Sequence, residues 1–136
     1  MNDEIKRKRE ELIGKYTDNY NAGNTENLSS VLTTEAKFEN VALDRILINR
    51  EQIKDQIESA KDFFSIRSLT FEGFRHLDGH TEIDVSYVNV TATSFNKYKK
   101  GETLQTKAVM IFKFDAELIS EILFMPDEVW FFNAMI

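Results

Sequence analysis

The chain has no cysteine. Disulfides, thiolate metal sites and cysteine nucleophiles are therefore excluded. Proline is nearly missing too. The single one, Pro126, marks the end of the last extended segment, because proline cannot extend a sheet ladder. The only histidines are His76 and His80. On a helix their spacing would give a shared face, but here they flank a turn signal and point to opposite faces. They read as two solvated turn residues rather than metal ligands. No apolar run is long enough to span a bilayer. The charges of both signs from Met1 to Glu11 leave no apolar core for a signal peptide. Basic residues number 17 against 23 acidic ones, a formal charge of −6, which is the wrong sign for a phosphate backbone. There is no glycine-rich phosphate loop and no arrangement suggesting a serine–histidine–acid triad. The expectation is a cytoplasmic protein with no metal and no cofactor, binding neither nucleic acid nor membrane.

What the chain does have is length for one domain, residues 1–136, and eleven phenylalanines. A domain of this size buries roughly two-thirds of its unfolded surface, and the rings imply a core or cavity lined by aromatics. Residues 3 to 21 read as a helix capped by Asp3 and stopped by Gly23, with Ile5, Leu12, Ile13, Tyr16 and Tyr20 on one stripe. A short helix follows, capped by Asn24 or Thr25. Ala36 to Val41 reads as a brief strand with Phe38 and Asn40 on one face. Asn49, with Gln52 three residues on, opens a third helix whose stripe is Ile53, Ile57, Ala60 and Phe64.

From Ile66 the period becomes two. Strands are expected at 66–77, 81–95, 103–114 and 118–125, with an exposed basic loop from Lys97 to Gly101. Asp78-Gly79 signals a type I′ hairpin that sets Arg75 opposite Glu82 and Phe74 opposite Ile83. Twelve extended residues reach about 40 Å against ~28 Å for the first helix, so the strands must bend, and Gly73 is placed for the bulge. The fold class is α+β, with three N-terminal helices packed on a strongly curved, mainly antiparallel sheet.

The order of elements, with Tyr16…Tyr20-Asn-Ala-Gly23 closing the first helix, resembles the nuclear transport factor 2-like superfamily. Its SnoaL-like and ketosteroid-isomerase-like branches are the nearest. Ala36-Lys-Phe-Glu-Asn40, Asn49-Arg-Glu-Gln-Ile53 and the hairpin from Phe112-Lys-Phe-Asp115 to Ile119-Ser-Glu-Ile122 carry the resemblance, although that hairpin lacks the family's usual glycine. The resemblance implies a cystatin-like cone whose helices and curved sheet enclose a pocket. For the isomerase branch it further implies a tyrosine, an aspartate base and a protonated aspartate. Tyr16, Asn40 and Met110 stand in those places. An amide cannot abstract a proton from carbon, and a thioether cannot donate to an oxyanion.

Tyr16 reads either as a core tyrosine or as a ligand contact. Glu121, between Ile119 and Leu123, reads either as an acid or base inside the apolar cone or as a carboxylate facing water or pairing with Lys107 or Lys113. No catalytic residue is assigned. The expected ligand-binding residues are Tyr16, Tyr20, Phe38, Asn40, Phe64, Tyr87, Met110 and Phe112, around a small apolar or aromatic molecule. Val109 and Ile111 make the third long strand apolar on both faces, so a homodimer through the sheet is expected. The apolar tail 129–136 must cover the cone's mouth, the sheet or a partner. Three functions compete: a binding protein without isomerase activity, a cyclase-, isomerase- or dehydratase-type enzyme with a non-standard acid, and an assembly module with an incidental pocket.

Overall fold

The structure, a computed structural model, describes residues 1–95 and 97–127; the apolar tail 129–136 lies outside the described residues. The elements are α1 (Asp3–Ala22), α2 (Thr25–Ser29), β1 (Leu32–Asn40), a 3-10 turn (Val41–Leu43), β2 (Arg45–Leu47), α3 (Arg50–Ala60), β3 (Phe64–His76), β4 (Thr81–Thr91), β5 (Thr103–Asp115) and β6 (Leu118–Pro126). One six-stranded sheet has the order β2-β1-β6-β5-β4-β3. Every pair is antiparallel except β1 with β6, which is parallel. Three helices and a curved, mainly antiparallel sheet are thus present. β2 was not foreseen, because three residues are too few to show a period.

Local chemistry explains most boundaries. Asn2, not Asp3, caps α1: its side chain accepts from the Ile5 amide at 2.8 Å. Gly23 ends the helix at φ 70°, the left-handed conformation that costs glycine nothing. Asn49 caps α3 by accepting from the Gln52 amide, while the Gln52 side chain accepts from the Ile48 amide rather than that of Asn49. Ile5 was expected on the buried stripe but is exposed. The buried residues of α1 begin at Ile13. Phe64 is buried as expected, but it opens β3 instead of closing α3.

The β3–β4 hairpin keeps Arg75 opposite Glu82 and His76 opposite Thr81. Its register shifts between Glu72 and Arg75, with Gly73 at φ 64°. That bulge bends the strand as anticipated and removes Phe74 from a simple pairing with Ile83. The turn is not type I′, because neither Asp78 nor Gly79 has positive φ. Its carbonyls are held from outside: Arg9 donates to the oxygens of Leu77 at 2.7 Å and Asp78 at 2.8 Å. β4 stops at Thr91, short of Phe95, where the chain folds into a Phe95–Tyr98 bridge. Tyr98 is buried there, so the basic loop is not wholly exposed.

Two side chains fasten the open β3 edge to the helices. The Asn21 amide donates to the Leu69 carbonyl (2.8 Å) and accepts from the Leu69 N–H (2.7 Å), as a neighbouring strand would. Arg67 donates to the Ile57 carbonyl at the C-terminal part of α3, at 2.7 Å.

Candidate functional site

Alternation along the strands decides what enters the cone. On β4, Thr81, Ile83, Val85, Tyr87, Asn89 and Thr91 are buried. Leu69 lies opposite Tyr87, and Arg67 opposite Asn89, on β3. On β5, Leu104, Thr106, Ala108, Met110 and Phe112 are buried. Phe38 and Asn40 project from the inner face of β1, next to Ile122 and Phe124 of β6.

These positions form two zones. The first is apolar and closed. The rings of Tyr16 and Phe112 meet edge-on at 5.7 Å, Tyr87 and Phe124 at 5.5 Å, and Phe38 leans on Phe124 at 6.1 Å. The Tyr87 hydroxyl reaches the Met110 sulfur at 3.6 Å, a weak acceptor. Burial pushes the Tyr16 and Tyr87 phenols well above their ordinary pKa, helped by the neighbouring tyrosines. Neither ionises near neutral pH, so both act there as neutral hydroxyls.

The second zone holds polar atoms without partners. Tyr20 meets Tyr87 edge-on at 5.8 Å and carries the Arg67 guanidinium over its ring at 4.7 Å. The Tyr20 hydroxyl, Arg67 Nε and Nη2, and both amide atoms of Asn89 are buried with no hydrogen-bond partner. Burial raises the Tyr20 pKa and the Arg67 charge opposes it, although no Arg67 N–H meets the hydroxyl at bonding geometry. Across the cone, Asn40 Nδ2 is also unpartnered, while its Oδ1 accepts from the Leu43 amide at 3.3 Å. An unpaired buried polar group costs roughly 1–3 kcal/mol, and more when charged. Such groups are exceptions in folded proteins.

The eight residues expected at a ligand site are all buried. Tyr20, Tyr87, Phe38 and Met110 join through Phe124 and Tyr87; Asn40 lies beside Phe124 in the sheet, and Tyr16 packs on Phe112. Phe64 stands apart, edge-on to Phe95 at 5.9 Å. Of the eight, Tyr20 and Phe64 line a surface cleft of roughly 460 Å³ that also touches Ile57, Lys61 and Arg67. The reading missed three residues, Phe124, Arg67 and Asn89. A signal existed for two of them: Arg67 is in phase with Leu69, and Asn89 with Val85 and Tyr87.

Other candidates resolve differently. Glu121 faces outward and pairs with Lys113 at 3.6 Å. It does not share a face with Ile119, because a register shift between Lys113 and Phe114 breaks the alternation. His76 is not a solvated turn residue. Its side chain is 9% exposed, stacked on Phe74, with Glu10 at 2.8 Å and Thr81 at 3.0 Å. His80 pairs with Glu82 at 3.2 Å. Among the described residues no group of three potential metal ligands converges. Nor is any described helix long and apolar enough to cross a membrane.

Neither the protein-family models nor the curated proteins compared with this sequence include a match. Solved structures do match. A candidate SnoaL-like polyketide cyclase from Shewanella putrefaciens CN-32 superposes with TM-score 0.77 at 18% identity, over 88% of this chain and 89% of that one. An NTF2-like protein from Exiguobacterium sp. 255-15 gives 0.74 at 13%, over 87% and 99%. A protein with a ketosteroid isomerase-like fold from Catenulispora acidiphila DSM 44928, in complex with trimethylamine, gives 0.71 at 12%, over 84% and 83%. At these identities the likeness is one of fold, and the fold is the NTF2-like cone that the sequence resemblance implied.

Proposed function

We propose that this chain binds a small, largely apolar molecule inside the cone and lacks the proton-abstracting chemistry of an isomerase. The observation that carries the reading is Asn40. It sits on the inner face where the resemblance implies a base, and it offers an unpartnered N–H donor instead of a carboxylate. Met110, in the place of the second acid, is wholly buried and takes a bond from Tyr87. Glu121, the acid that the cyclase reading names, faces outward against Lys113 at 3.6 Å, and the described buried polar residues are threonine, serine and asparagine. The trimethylamine bound by one structural neighbour is consistent with a cone that admits small molecules.

Tyr16, Tyr20, Phe38, Asn40, Phe64, Tyr87, Met110 and Phe112 supply the surface and the polar contacts. Apolar burial contributes ~25 cal/mol per Å² before the costs of association. The test is a thermal-shift screen of small aromatic and polycyclic compounds, followed by calorimetry on the wild type, Tyr16→Phe and Met110→Trp. Compounds should raise Tm in the wild type. Met110→Trp, confirmed folded by circular dichroism, should abolish the effect by filling the interior. No hit at all, or hits indifferent to Met110→Trp, would reject the binding reading.

One feature favours the assembly-module reading beside it: the aromatic zone is closed as it stands. Val109 and Ile111 are only partly buried on the outer face, where a groove of roughly 640 Å³ also runs past Thr70, Asp84 and Lys107. A homodimer through this face would cover them. Sedimentation velocity at tens of micromolar, an order-of-magnitude choice, should show a dimer. A monomer would remove that cover.

A further inference from the structure

Resting on the binding reading above, the geometry points to a ligand of particular chemistry: a monocarboxylic acid with an aromatic or apolar body. We propose that its carboxylate lies along the Nε–Nη2 edge of Arg67 and that Asn89 and Tyr20 meet an adjacent hydroxyl or carbonyl.

Arg67 is fixed in place before any ligand arrives. Its Nη1 donates to the Ile57 carbonyl at 2.7 Å, and its Cζ lies 4.7 Å from the Tyr20 ring centroid. One nitrogen and one face are thereby used. The two nitrogens left without partners, Nε and Nη2, are the pair whose N–H bonds run parallel, which is the fork that matches a carboxylate. Guanidinium does not deprotonate in proteins, so the edge is a fixed positive charge. Among the described residues it makes no ion pair. The nearby ammonium of Lys61 is already engaged, by the Gly23 carbonyl at 3.0 Å and by Glu58 at 3.2 Å. One uncompensated cation calls for a monoanion.

Asn89 narrows the choice. It is 0% exposed, directly opposite Arg67, and neither end of its amide has a partner. The cluster then offers two guanidinium N–H groups, an amide NH₂ and a phenol against a single amide oxygen, so it is rich in donors. A carboxylate is rich in acceptors, and a hydroxyl beside it would also satisfy the Asn89 oxygen. The cleft of roughly 460 Å³ lined by Tyr20, Phe64 and Arg67 falls within the size range of small-molecule sites. The unpartnered atoms are closed to water as they stand, so entry requires a lining ring, Phe64 or Tyr20, to rotate.

The experiment compares 2-hydroxybenzoate with its neutral amide, 2-hydroxybenzamide, by calorimetry and thermal shift on the whole chain, with inorganic phosphate as a second anion. The acid should bind the wild type at least about tenfold more tightly than the amide, the difference expected of a charge-assisted pair. Arg67→Lys keeps the charge but not the fork and should lose at least about tenfold for the acid and distinctly less for the amide, whose single carbonyl uses only part of the fork. Equal binding of acid and amide, or indifference to Arg67→Lys, would overturn the carboxylate while leaving an apolar pocket standing. Phosphate binding as tightly as the acid would also overturn it, since the site would then select charge rather than the planar fork. If acid, amide and every neutral aromatic all fail to bind, this inference and the binding reading fall together. The acid–amide comparison on the wild type needs no variant to fold.

Discussion

The two zones of the cone share one sheet face and one helix, yet they treat polar atoms in opposite ways. Around Phe112 and Phe124 the interior is mostly rings, methyls and a thioether, the Tyr87 hydroxyl finds Met110, and a single Asn40 N–H beside Phe124 is left over. Around Arg67 and Asn89, an arginine edge, a complete amide and a phenol are buried without partners. The first zone has the composition of a core that stabilises. The second works against stability, since each unpaired group forfeits its hydration. A fold that keeps such a cluster is stable in spite of it. The difference therefore separates residues that hold the cone together from residues available for recognition.

The sharpest way to break this comparison is to damage the apolar zone. Phe124 is wholly buried and touches both Phe38 and Tyr87. Phe124→Ala should cost roughly 3–5 kcal/mol in urea unfolding, the transfer loss plus the cavity left among rings that cannot collapse. A loss below about 1 kcal/mol would mean that the zone is loosely packed and that the division is misplaced.

Alkaline titration distinguishes the zones by a second route. Tyr16, Tyr20 and Tyr87 all have raised pKa values in the folded state, burial being the first cause in each. Below about pH 10 both folded and unfolded tyrosines are protonated, and the stabilisation is fully present. Above it the unfolded chain loses protons that the folded chain keeps, so stability falls as pH rises, by at most ~1.4 kcal/mol per pH unit for each tyrosine. The zones should differ in order. Arg67 lowers all three pKa values, but only at Tyr20 is it the chief influence opposing burial, so ultraviolet difference absorbance should show Tyr20 ionising before Tyr16 and Tyr87, and Tyr20→Phe should remove that step. Simultaneous ionisation of all three tyrosines on unfolding would show that Arg67 exerts no such effect.

Much of the first zone was legible in the sequence, because it obeys periods. Tyr16 falls on a helical stripe, and Met110 and Phe112 alternate with outward residues, so their burial follows from spacing alone. The Gly73 bulge was legible because only one residue near the middle of a long strand tolerates φ 64° easily. What the sequence concealed are departures from regularity and contacts across the fold. The register shift within the β5–β6 pair, where Ser120 is the extra residue, turns Ile119 inward and Glu121 outward. Arg9 holds the hairpin turn from a helix 68 residues away in sequence. Ala116 takes φ 55° where the family pattern leads one to expect glycine. Arg67 and Asn89 were visible as polar residues in inward phase. Their lack of partners, which sets them apart, exists only once the strands are side by side.

The smallest expected effect bears most directly on the contrast, because its sign is the unusual part. Asn89→Leu replaces a fully buried amide, neither end of which is bonded, with an apolar side chain of similar size. Substitution of a bonded buried asparagine would leave its former partners orphaned and would destabilise. Here there is no partner to orphan, and the amide's desolvation cost is relieved. The variant should therefore gain about 1 kcal/mol in urea unfolding, with an unchanged m-value as the sign that the denatured state is not altered. It should also weaken any ligand that the polar zone recognises, the stability–function exchange expected when an unfavourable group is kept for binding. If Asn89→Leu instead loses 1 kcal/mol or more, on the order of a satisfied hydrogen bond, the amide is bonded in solution, by water or by a partner group. The second zone would then be a structural network like any other, and the contrast between the two halves of the cone would disappear.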